Sequence, residues 1–271
     1  MRYALCNETF QSKPFEAGIE AVEKAGYDGV EIAPFTIASD ILQINSRRRS
    51  QIAQHIERCS LECVGLHWLL AKTEGYHLTS PEKEVRRKTT EYFVQLAQLC
   101  RDLNGSVLVF GSPEQRSLMP GVTQQQAMDY AREVLYESLP AMERNNVVLA
   151  IEPLTPAESD FLNTASATIE LIERIGCEYI QLNLDCKAMS SERQPIPEII
   201  CESAKHIAHF HANDPNLQGP GFGDLEFGPI FKALRDADYD DWISVEVFDY
   251  SPGEERLAVE SIEYLKECES N

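Results

Sequence analysis

The feature that most restricts this chain is an alternation, repeated eight times, of a short apolar run and an amphipathic helical pattern. The apolar runs cover residues 3–7, 29–33, 63–70, 106–110, 147–152, 179–185, 207–211 and 242–248. Between and after them lie stretches such as "PFEAGIEAVEKAG" and "TASATIELIERIG", in which apolar residues recur three and four apart, as at Ile19, Val22 and Ala25. Punctuation agrees with that division. Ser80 before Pro81 reads as an N-cap with Pro at the first helical position, and Gly26, Gly105 and Gly176 stand where helices should end. Strands separated by helices run parallel, because a crossover of that length returns the chain in the same direction. Eight such units in 271 residues are the count of a (β/α)8 TIM barrel, a single α/β domain spanning residues 1–271. The alternative arrangement of the same units is a doubly wound open sheet.

Composition removes several classes of function. The formal charge of −20 opposes broad nucleic-acid binding, which needs a basic stripe. An anionic substrate would have to meet a local Arg, Lys or metal ion instead. No run of eighteen apolar residues suggests a membrane span, and "MRYALCNETF" lacks the apolar segment of a signal peptide, so a cytoplasmic protein is expected. The eight cysteines contain no C-x-x-C and sit mostly inside apolar patterns, which predicts reduced thiols. No patch identifies an oligomer interface, and homo-oligomer formation is left open.

In a barrel of this kind the chemistry gathers at the C-terminal strand ends. Runs five to seven end in Glu152, Asp185 and His211, and run eight carries Glu246 near its end, one ionisable residue each. A carboxylate that closes an apolar strand is costly to bury unless it is paired or coordinated. Each residue alone has a plain structural reading: an ion-pair partner for either glutamate, a turn cap for Asp185, a core hydrogen bond for the histidine. Together they form a hard, oxygen-rich donor set suited to one divalent metal ion, Mn²⁺ or Mg²⁺ first, Co²⁺ or Zn²⁺ next. His209, two residues before His211, points the same way one layer deeper and reads as a core histidine.

The segments "AGYDGVEIAPF", "VGLHWLL", "IEPL", "NLDCKAM", "HFHANDPN" and "DWISVEVF" resemble the xylose isomerase-like barrel superfamily of sugar and sugar-phosphate isomerases and epimerases. Its ketose 3-epimerase branch is the nearest in function. The resemblance implies that Glu152, Asp185, His211 and Glu246 hold one divalent ion. It further implies that Glu152 and Glu246 are the catalytic acid/base pair, moving a proton through an enediolate, with Glu158 as a supporting substrate contact. His67 resembles a substrate-contacting histidine of relatives. Two positions depart from the epimerase pattern: Ala188 stands where a histidine is expected and Leu217 where a substrate-binding arginine is expected. The superfamily also includes endonuclease IV-like nucleases, whose additional metal-binding histidines are missing here.

Among basic residues near the strand ends, Arg116 and Lys187 are the expected anchors for an anionic substrate, with Lys72 also near. Glu31, and Asn7 or Glu8, also project towards the rim. "GPGFGD" at 219–224 reads as a loop over the site rather than a nucleotide loop, since it does not open into a helix. The resulting expectation is a metal-dependent isomerase or epimerase of a small carbohydrate substrate, working by α-proton abstraction. A dehydratase using the same proton, and a non-catalytic sugar-binding barrel, are the alternatives.

Overall fold

In a computed structural model, which describes residues 1–270, each apolar run becomes a strand lying parallel to the next. The strands β1 (Arg2–Cys6), β2 (Gly29–Ile32), β3 (Glu62–Leu66), β4 (Val107–Phe110), β5 (Val148–Ile151), β6 (Ile180–Asp185), β7 (Ile207–Ala212) and β8 (Trp242–Val245) follow one another around a barrel. β8 pairs back with β1, so the sheet is closed and the open-sheet alternative is excluded. The helices α1 (Phe15–Ala25), α2 (Ser46–Arg58), α3 (Lys83–Asp102), α4 (Gln124–Asn145), α5 (Ala165–Ile175), α7 (Ile196–Ser203), α8 (Phe227–Asp236) and α9 (Glu254–Ser270) occupy the expected segments. A short extra helix, α6 (Cys186–Ser190), follows β6 at once. Among the described residues no helix is long and apolar enough to cross a membrane, and all eight cysteines are free.

Alternation along each strand divides the core. Outward residues such as Leu5, Leu108, Leu149 and Phe210 join the helices in one large cluster, to which α1 brings Ile19 and Val22. Burying each of these side chains contributes about 1.5–3 kcal/mol. Inside the barrel, Ala4, Val64, Val107, Val109, Ala150 and Trp242 form a separate cluster that plugs the lumen. Two register shifts interrupt the alternation. Leu182 pairs with Ile207 but Asn183 pairs with His209, leaving Ala208 as the extra residue of a bulge; Val64 is the extra residue between β2 and β3. Bulges re-aim the side chains that follow them. Here Ala208 packs with the lumen cluster and His209 still points inward behind it.

Two helix ends differ from expectation. Helix α3 begins at Lys83 rather than beside Ser80, whose hydroxyl accepts from the Glu82 N–H (3.1 Å) in a preceding turn and whose carbonyl is taken by the Arg86 guanidinium (2.8 Å). Gly26 and Gly176 do adopt left-handed caps, but at the end of α3 that conformation falls to Asn104 (φ +67°). Gly105 follows it because a Cβ there would lie 2.9 Å from Cys100 Sγ.

Candidate active site

Four strand ends converge. Glu152 follows β5, Asp185 closes β6, His211 lies in β7 and Glu246 follows β8; one ligand atom from each lies within 4.8 Å of those of the other three. Glu152 is 2% exposed and the other three are completely buried. Close approach at Glu152 depends on Gly111, just past β4: a Cβ there would stand 1.9 Å from Glu152 Oε2.

The electrostatics of this cluster are unbalanced. Burial lifts the Glu152 carboxyl well above the usual carboxylate range, and the Glu246 and Asp185 charges lift it further. Burial also raises Asp185. Glu246 goes the other way: burial would raise it, but His211 and His67 outweigh that and hold it low. Two imidazoles therefore answer one carboxylate, while the other two are short of positive charge. A divalent cation would supply that charge, and three carboxylates with one imidazole suit a hard ion.

Behind the cluster a second layer fixes its geometry. His211 Nδ1 lies 3.1 Å from Glu246 Oε2, and its Nε2 lies 3.2 Å from Glu31 Oε1. Glu31 also meets His209 Nε2 at 2.8 Å, and that nitrogen lies 3.1 Å from Ser244 Oγ. His209 is thus a hydrogen-bonded core histidine. Burial would raise Glu31, but His209 and His211 overcome it and keep the carboxyl well below the usual range. Asp185 Oδ1 caps α6 through the Ala188 N–H (2.7 Å), and its Oδ2 accepts from Asn213. The cap reading of Asp185 and its place in the cluster therefore coexist.

Above the cluster lies a cavity of about 370 Å³, whose lining includes Trp68, Lys72, Glu152, Glu158, Lys187 and Phe248. Glu158 Oε2 accepts from the Thr155 N–H and hydroxyl, and its Oε1 pairs with Lys187 Nζ at 2.6 Å. Lys187 also stands 3.9 Å from the Phe248 ring centroid. Burial alone would lower its amine, but Asp185, Glu158 and the two cluster glutamates raise it. Trp68 and Phe248 stack at 5.9 Å, which makes one wall aromatic.

Three expectations are corrected by these positions. Arg116 does not line the cavity: it is completely buried, and its Nη1 donates to the Glu152 main-chain carbonyl (2.6 Å), so it braces the strand end. His67 is likewise off the cavity wall, held between Glu246 Oε1 (3.2 Å) and Glu8 Oε2 (2.9 Å). The loop at 219–224 does not cover the site. Gly219 and Gly221 pack against Ser261 and Tyr264 of α9, and Asp214 accepts from the Leu225 N–H. Gly111, Asn213 and Phe248 were not singled out from sequence; "HAND" at the end of β7 carried a signal for Asn213, whose Oδ1 also accepts from the Lys187 N–H.

A sequence profile described as the xylose isomerase-like TIM barrel matches residues 19–268. The chain belongs to that family. It is 24% identical over 268 residues to a protein named "probable ketose 3-epimerase" from Synechocystis sp., covering 89% of this chain and 86% of the relative. Among solved structures, a D-psicose 3-epimerase determined in the presence of D-fructose superposes with a TM-score of 0.88 at 19% identity over the full length of both chains. A 3-keto-D-glucoside 4-epimerase from Escherichia coli does so with a TM-score of 0.86 at 16% identity, covering 99% of this chain and 100% of that one. At those identities the likeness in structure is one of fold.

Proposed function

We propose that this xylose isomerase-like barrel is a divalent-metal-dependent sugar epimerase or isomerase that moves the proton α to the carbonyl of a ketose. Family membership and a relative named for ketose 3-epimerisation support the reaction class. The observation that carries the mechanism is the convergence of Glu152, Asp185, His211 and Glu246 in one buried cluster, which meets a cavity through Glu152. These four residues would hold the ion. When bound, it supplies Lewis-acid stabilisation of the negative charge that α-proton removal leaves on the ketose oxygens.

The remaining work falls to side chains of this chain. Glu152 lines the cavity and Glu246 shares the cluster with it, and these two carboxylates are the proposed groups that take the proton and return one. Glu31 holds His211, and His67 holds Glu246, which keeps both in fixed orientations. Glu158 and Lys187 offer an acceptor and a donor to substrate hydroxyls, while Trp68 and Phe248 present an apolar face and limit water. With Ala188 and the exposed Leu217 (44%) at the two divergent positions, hydroxyl recognition rests on this wall instead.

NMR of protein dialysed against Mn²⁺ and incubated with a panel of ketoses in deuterated water tests the reading. Deuterium entering at the carbon next to the carbonyl, with an epimer or aldose as product, is expected. Loss of water from the product would assign the dehydratase chemistry, and saturable binding without exchange a sugar-binding barrel.

A further inference from the structure

Beside the ends of β1 and β2, a second cavity of about 230 Å³ adjoins the first, with Lys72 lining both. Its polar lining consists of Asn7, Gln11, Lys13, Thr36 and Lys72, and no carboxylate lines it. In a chain of net charge −20 that is an unusual composition for a cavity beside a reaction site. The first turn of α1 also borders it through Phe15 and Gly18.

The cations around the two cavities are not equivalent. Lys187 is neutralised by Glu158 at 2.6 Å, Lys13 pairs with Glu255 at 2.8 Å, and Arg116 is buried behind β5. Lys72 is exposed at the rim shared by the two cavities and has no carboxylate partner among the described residues; its ammonium rests 3.9 Å from the Phe35 ring centroid. Phe35 in turn meets Trp68 at 5.9 Å, and Trp68 meets Phe248 at 5.9 Å, so a continuous aromatic wall runs from the catalytic cavity to Lys72. Asn7 and Thr36 are tied to each other and to Ala33, which makes that side rigid.

Resting on the epimerase reading, we infer that the second cavity is an anion subsite and that the substrate is a ketose bearing a terminal phosphate or carboxylate, held by Lys72 while its carbonyl end lies over the carboxylate cluster. A ketose lying along the aromatic wall would place its far end at the unpaired ammonium. Phosphate and carboxylate share the required chemistry, a compact anion accepting hydrogen bonds from an ammonium.

The test compares α-proton exchange by the Mn²⁺-loaded full-length protein on three matched ketohexose series: neutral, 6-phosphate and 6-carboxylate. Lys72→Met, which keeps the aliphatic stem, is run beside wild type. The expected result is that one anionic series exceeds the neutral one at least tenfold in kcat/KM, and that this ratio falls at least tenfold in the variant, the loss of one charge-assisted hydrogen bond. Which anionic series responds identifies the source. Equal use of the neutral series, or a preference that survives Lys72→Met, overturns the subsite. If nothing exchanges, the epimerase reading fails and inorganic phosphate, followed by ³¹P NMR, decides the subsite alone. Binding at least tenfold weaker in Lys72→Met than in wild type supports it, and equal or absent binding overturns it.

Discussion

His211 stands between two carboxylates: its Nδ1 lies 3.1 Å from Glu246 Oε2, and its Nε2 lies 3.2 Å from Glu31 Oε1. With the Nε2 proton given to Glu31, the Nδ1 lone pair faces the cluster, the orientation that a metal ligand needs. Glu31→Gln replaces a charged acceptor by an amide. Mn²⁺ affinity is expected to weaken by roughly 10–100-fold, the usual effect of losing such a partner. Calorimetric titration of the two proteins checks it, and equal affinity would show that Glu31 does not orient His211.

Gly111 marks a different constraint. An added methyl group would sit 1.9 Å from Glu152 Oε2. Gly111→Ala must move the carboxylate or the end of β4, and a misplacement near 1 Å costs on the order of 10²-fold in rate. Exchange kinetics should show that loss in kcat, while circular dichroism remains that of the folded barrel.

Acidification should weaken metal binding. Burial raises Glu152 and Asp185, and the neighbouring carboxylates outweigh burial to raise His211, so the ion-free cluster retains protons that the ion must displace. The sign is the same for all three groups: affinity falls as pH falls, and binding releases protons. Titrations in buffers of different ionisation enthalpy measure that release. An affinity independent of pH between 5 and 8 would contradict the assigned ligands.

Removing the ion should also lower stability. A ligand that binds only the folded state at about 100 times its Kd adds roughly 2.7 kcal/mol. For a chain of this size that is a fall in Tm of about 5 °C on chelation. Differential scanning calorimetry before chelation, after it, and after Mn²⁺ is restored is the check.

The barrel was legible in the sequence because the change of period from strand to helix is local, and eight repeats leave few topologies that close. Glu152, Asp185, His211 and Glu246 were legible for a similar reason: each is a polar residue ending an apolar run, and the fold alone gathers such ends. What sequence did not display was direction. The bulge at Ala208 depends on pairing with β6, a partner 26 residues away at the Leu182–Asn183 step. Arg116 was expected in the cavity because its loop follows β4, yet its guanidinium is drawn to the carbonyl of Glu152, 36 positions on. His67 was read as facing the rim, and the structure pairs both its nitrogens, one with Glu8 and one with Glu246. Gly111 is required by a side chain on the neighbouring strand, and nothing in "VFGSP" announces Glu152.

The most direct measurement is the metal content of wild type, Asp185→Asn and His211→Ala after dialysis against Mn²⁺, by elemental mass spectrometry on protein freed of loose ions. About one ion per wild-type chain, lost from both variants while they stay folded, is the predicted result. A metal-free wild type, or variants that retain the same ion, would contradict the assignment of the four converging residues as its ligands.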